Sequence, residues 1–199
     1  MKSLYAFAFA LLFTYLPAFS QYYIRSVMVN SPGGNNGNQF VEIAGPPNQS
    51  LNNYYLIEIE GDGTGNARGV VERVINLSSY SLGSKGLLLL RENASLAPAA
   101  SSETTVITGN IPTIETGTVT LALVTGWSGT AGTSDIDANN DGVVDATFWT
   151  SVVSAVSTRD DNSQTNDRGY GAALGGSSLP DINGARYAGF LFTGVEYLA

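Results

Sequence analysis

The chain has 199 residues, a formal net charge of −8, no cysteine and no histidine. The absence of cysteine rules out disulfides, and the absence of histidine rules out Ser-His-Asp and Cys-His nucleophile pairs and a zinc site of ordinary composition. The acidity argues against nucleic acid and anionic lipid as partners, because phosphate binding depends on Lys and Arg. Chemistry carried by carboxylates alone survives these exclusions.

The first 20 residues have the pattern of a secretory signal peptide. Lys2 supplies the positive charge, residues 4–16 are apolar, Pro17 ends the apolar run, and small residues precede a cleavage position at Gln21. An uncleaved membrane anchor is the alternative interpretation of the same residues, but the apolar run is short for a stable membrane span. We therefore expect a secreted, extracellular protein that keeps no membrane span after cleavage.

The hydrophobic pattern after residue 20 predicts short β-strands separated by turns rich in Gly, Asn and Pro. The predicted strands are 22–30, 40–43, 54–60, 70–75, 87–90, 118–125 and 146–154. Alternation in the first of them predicts one face with Tyr23, Arg25, Val27 and Val29 and the opposite face with Ile24 and Met28. Their spacing is typical of a β-sandwich, and no amphipathic helix of useful length is present. We divide the chain into a signal peptide (1–20), a sandwich (21–158) and a loop-rich C-terminal extension (159–199). Within the extension, 159–183 is predicted to be a surface segment and 187–199 is a candidate edge strand.

An acidic stretch at 135–145, called the acidic loop below, has carboxylate and amide side chains at alternate positions. If Asp137 is position 1 of a calcium loop, Asn139 is position 3 and Asp141 is position 5. Position 6 is a glycine, which the sharp bend requires, and positions 7 and 9 supply a carbonyl and a carboxylate. The predicted calcium ligands are Asp135, Asp137, Asn139, Asp141, Val143 (through its carbonyl) and Asp145.

The acidic loop departs from an EF-hand in two respects. Position 12 is Phe148 where an EF-hand has a bidentate glutamate, and no helices flank the loop. Asp135, or a residue of the Asp160-Asp161 pair, is a candidate for the missing ligand, and Val144 is expected to anchor the loop to the core. The alternative interpretation is a solvated Asn/Asp turn that joins two strands and binds no ion.

Other side chains also have two interpretations each. Glu58, Glu60 and Asp62 are predicted to share one face of a hairpin, where a carboxylate pair could hydrolyse glycosides or the side chains could simply be solvated. Trp127 and Trp149 flank the acidic loop, where they could line a ligand site or cap the hydrophobic core.

A series of phrases along the chain is similar to the lamin tail domain family, of the secreted bacterial kind. The phrases, in order, are 37–43 (GNQFVEI), 50–51 with 54–61 (YYLIEIEG), 75–82 (INLSSYSL) before 86–90 (GLLLL), 118–124 (TVTLALV) and 149–153 (WTSVV). The resemblance covers Ile24 to Ser154. One departure is Gln39, which stands before Phe40 where the family usually has an acid.

The resemblance implies an all-β, immunoglobulin-like β-sandwich with long surface loops and no shared catalytic residues. Secreted members of the family accompany extracellular enzymes or serve as interaction modules on surface proteins. We therefore expect a non-enzymatic module for adhesion, matrix or accessory interaction, with calcium in its acidic loop and a protein or extracellular glycan as partner. The alternatives are a carbohydrate-binding or carbohydrate-active protein, or the accessory domain of an extracellular nuclease encoded elsewhere.

Overall fold

The computed structural model describes residues 22–29, 39–62, 68–92, 100–109, 114, 117–159 and 167–179. The predicted signal peptide, the Asp160-Asp161 pair and the candidate edge strand at 187–199 lie outside these residues and stay predictions. Within the described ranges the chain forms strands and no helix, so no helix there is long and apolar enough to cross a membrane.

The described residues form a two-sheet β-sandwich, which confirms the all-β prediction. The strands are β1 (Tyr23–Met28), β2 (Phe40–Ala44), β3 (Tyr54–Glu60), β4 (Val71–Asn76), β5 (Leu87–Arg91), β6 (Thr105–Thr108), β7 (Val119–Thr125), β8 (Ser151–Thr158) and β9 (Ser177–Ser178). One sheet has the strand order β1-β2-β5-β6 and the other has the order β4-β3-β7-β8-β9. Neighbouring strands are antiparallel except β5–β6 and β8–β9, which are parallel.

Most strand predictions are confirmed, and the exceptions have local causes. The predicted strand at 54–60 coincides with β3, whereas the one at 146–154 starts too early because residues 146–150 still belong to the connection before β8. The sequence pattern missed β6 and β9. Strand β6 has four residues of which only Ile107 is buried, so it lacks the alternation that would mark it.

The inner core lies between the two sheets and contains alternate residues of the strands. In β5 only Leu88 and Leu90 are buried, although the sequence is apolar at four successive positions. In β1 the predicted assignment of Ile24 and Val27 to opposite faces is wrong. The register shifts between Ile24 and Ser26, and this bulge turns both Ile24 and Val27 into the inner core.

A second, outer core covers the other face of the five-stranded sheet. It consists of the buried residues Ile57, Ile59, Val71, Ala122, Val124, Ile136, Ala155 and Tyr170. Strands β3, β4, β7 and β8 supply six of these residues, while Ile136 comes from the acidic loop and Tyr170 from residues 167–179. Residues 167–179, called the docked segment below, belong to the predicted surface segment 159–183; they lie at the surface and are packed against the sheet. Asp167 and Tyr170 of the docked segment are both buried, because the segment lies against the sheet and the loop.

Candidate metal-binding loop

The connection from β7 to β8 is folded against the outer core along its apolar side chains. The rings of Trp127 and Trp149 are nearly parallel, with centroids 6.5 Å apart, and Trp127 also lies 6.3 Å from the Phe148 ring. Both tryptophans, Phe148 and Val144 pack partly buried against the outer core. The structure therefore supports the core-capping interpretation of the tryptophans, and Val144 anchors the loop as predicted.

The base of the acidic loop is closed by backbone hydrogen bonds at Ile136, whose side chain is fully buried. The Ile136 N–H donates to the Gly69 carbonyl at 2.9 Å, and the Asp145 N–H donates to the Ile136 carbonyl at 2.7 Å. On the entry side, the Val71 N–H donates to the Ser134 carbonyl at 2.8 Å. The loop thus begins as a short extension beside β4 and returns to its own starting point before it reaches β8.

The chain turns around the carboxylate of Asp137, which has no exposed surface. Its Oδ1 accepts the Asp141 N–H at 3.0 Å, and its Oδ2 accepts the Gly142 N–H at 2.8 Å. Gly142 has a φ of +89°, a conformation that favours glycine. Positions 1, 5 and 6 of the predicted calcium loop are therefore in direct contact, with the bend where the spacing predicts it.

The remaining predicted ligands lie around this turn, closer to solvent. Asp135 Oδ1 accepts the Asp137 N–H at 2.9 Å, and Asn139 Oδ1 accepts the Asp141 N–H at 3.0 Å. Asp141 Oδ1 accepts the N–H of Val143 at 2.8 Å, and Asn139, Asp141, Val143 and Asp145 are all exposed. Among the residues the structure describes, no three His, Cys, Asp or Glu side chains come together in a way that could hold a metal ion. Asp141 and Asp145 are thus placed on the loop but not gathered around Asp137.

Tyr170 is the residue at this site that sequence reasoning missed. Its hydroxyl donates a 2.8 Å hydrogen bond to Asp137 Oδ2 from 33 residues away. Burial raises the pKa of Tyr170, as do its hydrogen bond to Asp137 and the negative charges of Asp137 and Asp135, while Arg68 acts in the opposite direction. The phenol therefore stays protonated and remains a donor. No local spacing rule could have linked this tyrosine to the loop.

Arg168, two positions before Tyr170 in the docked segment, lies beside Gly142. A Cβ at Gly142 would lie 2.9 Å from Arg168 Cδ, a contact that the flexible arginine side chain can relieve by shifting, so glycine is favoured there by its φ of +89°. The Arg168 N–H donates to the Gly61 carbonyl at 2.7 Å, which holds the arginine near the end of β3. Its guanidinium group lies beside Gly142, at the edge of the acidic loop.

Glu58, Glu60 and Asp62, the other carboxylates that the sequence suggested as a site, belong to the last part of β3 and to the residues just after it. Glu58 and Glu60 are each 5% exposed, so the interpretation as a solvated strand face is wrong for both. Arg73 bonds the Glu58 carboxylate at 3.2 Å, and Glu60 Oε1 accepts the N–H groups of Gly61 and Asp62 at 2.8 Å. The cavity that adjoins Glu58 holds about 10 Å³, which is room for about one water molecule.

No protein-family model matches the sequence, and the search of curated proteins found no match. The resemblance to lamin tail domains therefore rests on the order of the sequence phrases, alongside a fold that is a two-sheet β-sandwich.

Proposed function

We propose that this protein is a secreted, non-enzymatic β-sandwich module for adhesion, matrix or accessory interaction, and that calcium in its acidic loop stabilises it. The observation that carries the proposal is the environment of Asp137. The carboxylate at position 1 of the loop is buried and accepts the N–H groups of positions 5 and 6. This turn supports the proposal, because a calcium loop also bends at its position 6.

The donor chemistry of the loop suits calcium, which takes six to eight oxygen ligands. The carboxylates, the Asn139 side-chain oxygen and the Val143 carbonyl are all hard oxygen donors. Asn140 Oδ1 is buried and has no hydrogen-bond partner in the described structure, which is a costly state for a polar atom and adds an oxygen to the loop. Binding would draw the exposed Asp141 and Asp145 side chains toward Asp137.

In this arrangement the ion would have a structural role, because it would stabilise the acidic loop. Four aspartates repel one another along the loop, and the same loop supplies Ile136 to the outer core. Neutralising the carboxylates would therefore stabilise the cover of the five-stranded sheet as well as the loop. Extracellular calcium modules bind in the range of about 0.1 to 1 mM, which suits a secreted protein that meets calcium outside the cell.

The proposed interaction role follows from the acidity of the chain and from the lamin-tail resemblance. A net charge of −8 disfavours phosphate-rich partners and is compatible with a protein or extracellular glycan. The absence of catalysis is proposed because the Glu58 and Glu60 carboxylates are bonded to Arg73 and to backbone N–H groups. A glycosidase pair instead needs two carboxyl groups that face a substrate cleft.

Thermal unfolding of the mature chain in calcium and in chelator tests the calcium part of the proposal. A ligand that binds only the folded state must raise its stability, and calcium at about 100 times its Kd should raise the Tm by roughly 5 to 10 °C. Asp141→Asn keeps the acceptor for the Val143 N–H but removes one charged ligand, so it should reduce the shift strongly.

Glu103→Gln is the matched control, because it removes one exposed carboxylate outside the loop. It should leave the calcium-dependent shift unchanged. If calcium at up to about 100 mM, which is about 100 times the upper end of that Kd range, gives the unaltered chain the same Tm as chelator does, the loop is a solvated turn and the proposal is wrong.

A further inference from the structure

The docked segment is held by hydrogen bonds and by the packing of its few apolar side chains. The Arg168 N–H bonds the Gly61 carbonyl at 2.7 Å, the Tyr170 N–H bonds Thr120 Oγ1 at 2.9 Å, and the Leu179 N–H bonds the Ser157 carbonyl at 2.8 Å. Strand β9 adds a two-residue parallel pairing to β8. Tyr170 is the one fully buried apolar side chain that the segment contributes to the outer core. Its placement therefore has a large influence on whether the segment stays docked.

Tyr170 also connects the segment to the acidic loop. Its ring lies in the outer core, and its hydroxyl bonds the same Asp137 oxygen that accepts the Gly142 N–H. Arg168 passes beside Gly142 two positions earlier in the segment. A displacement of Asp137 or Gly142 therefore changes the contacts of the docked segment directly.

We infer that Tyr170 is a positioning residue through which calcium in the acidic loop controls the docking of residues 167–179. The inference rests on the proposed function. It adds a regulated element to that function. The docked segment would stay packed on the sheet when the loop holds calcium, and it would detach more readily when calcium is removed.

The coupling follows because calcium binding and docking of residues 167–179 both involve the Asp137 carboxylate. A carboxylate that ligates a metal is oriented by the hydrogen bonds of its outer shell, and loss of such a partner typically weakens metal binding about 10- to 100-fold. Tyr170 is such a partner for Asp137. By reciprocity, an ion that fixes Asp137 must stabilise the docked segment by the same factor by which docking strengthens ion binding.

Hydrogen exchange measured by mass spectrometry on the mature chain, with calcium and with chelator, tests this coupling. Calcium should slow exchange at least about fivefold both in the loop, at the N–H groups of Asp141 and Gly142, and in the docked segment. In Tyr170→Phe, which keeps the aromatic ring, calcium should still slow exchange in the loop but no longer in residues 167–179. Tyr54→Phe, which removes the hydroxyl of a half-buried tyrosine of the inner core, should behave like the unaltered chain.

Calorimetric titration with calcium chloride supplies the reciprocal measurement. The Kd for calcium should rise about 10-fold or more in Tyr170→Phe and should be unchanged in Tyr54→Phe. If calcium protects the loop but not residues 167–179, or if Tyr170→Phe keeps the original Kd, the coupling is overturned while the proposed calcium site stands. If calcium binds nowhere and protects neither region, the proposed function fails and the coupling fails with it.

Discussion

The Tyr170 hydroxyl donates a 2.8 Å hydrogen bond to Asp137 Oδ2, although the two residues are 33 positions apart in the chain. Both side chains are buried, at 1% and 0% exposure. The contact joins the acidic loop and the docked segment over the outer face of the five-stranded sheet. The outer core forms because the acidic loop and the docked segment cover this face of the sheet together.

Ile136→Ala should destabilise the protein by about 2 to 5 kcal/mol, because it removes a fully buried side chain from the outer core and leaves a cavity. Val143→Ala, seven positions along the same loop, should cost less than about 0.5 kcal/mol, since Val143 is 58% exposed. Urea unfolding of both variants measures the two free energies. Similar losses for the two variants would mean that the acidic loop does not belong to the core.

Gly69→Ala should destabilise the protein more than Gly132→Ala. The two glycines have nearly the same φ, +84° and +80°, so the conformational cost of a Cβ is common to both. A Cβ at Gly69 would lie 2.9 Å from the Asp137 backbone nitrogen, whereas one at Gly132 would meet nothing within 4 Å. We expect an excess loss of about 1 to 3 kcal/mol at Gly69 from this crowding. Equal losses in thermal unfolding would contradict the close approach of Gly69 to the loop.

Gln39→Glu should destabilise the protein at neutral pH by roughly 3 to 5 kcal/mol, since it buries an unpaired charge. Gln39 is fully buried, and its Nε2 donates to the Val29 carbonyl and, at 2.6 Å, to the Ile114 carbonyl. A carboxylate cannot donate, so an acid would not replace the glutamine here.

Acid should restore part of the stability that Gln39→Glu removes. Burial raises the folded-state pKa of the introduced carboxyl above its unfolded value, so the protonated form is favoured by folding. The deficit should therefore shrink as the pH falls toward the unfolded pKa and grow as the pH rises through the folded one. Denaturant unfolding across this pH range measures the effect. Gln49→Glu, at an exposed turn, is the control and should show neither the loss nor its pH dependence.

Arg73→Met should destabilise the protein by about 1 to 3 kcal/mol, because it leaves the buried Glu58 carboxylate without its 3.2 Å ion pair. Lys85→Met breaks an exposed pair, with Glu103 at 3.6 Å, and should cost less than about 0.5 kcal/mol. High salt should weaken the second pair more than the first, since solvent ions screen exposed charges. Unfolding at low and high salt compares the two, and an equal cost would contradict the burial of Glu58.

Local pattern was enough for the features that depend on near neighbours in the chain. The alternation of β3 predicts its bounds, and the D-x-N-x-D-G spacing predicts a turn around Asp137 with glycine at the bend. The face assignment in β1 failed because a bulge between Ile24 and Ser26 shifts the register, and no residue type there marks it. Strand β6 was missed because its pairing with β5, rather than its own pattern, makes it a strand.

The amino-acid sequence by itself determined the fold class, the place of the acidic loop between two strands and the residue types that suit calcium. Hydrophobic period and turn chemistry act over a few residues, so they can be read along the chain. Only the tertiary structure decided that Glu58 and Glu60 are buried, that an outer core covers the five-stranded sheet, and that Tyr170 bonds Asp137. Burial and long-range hydrogen bonds depend on which distant segments the packed sheets bring together, and that information is not local to any stretch of sequence.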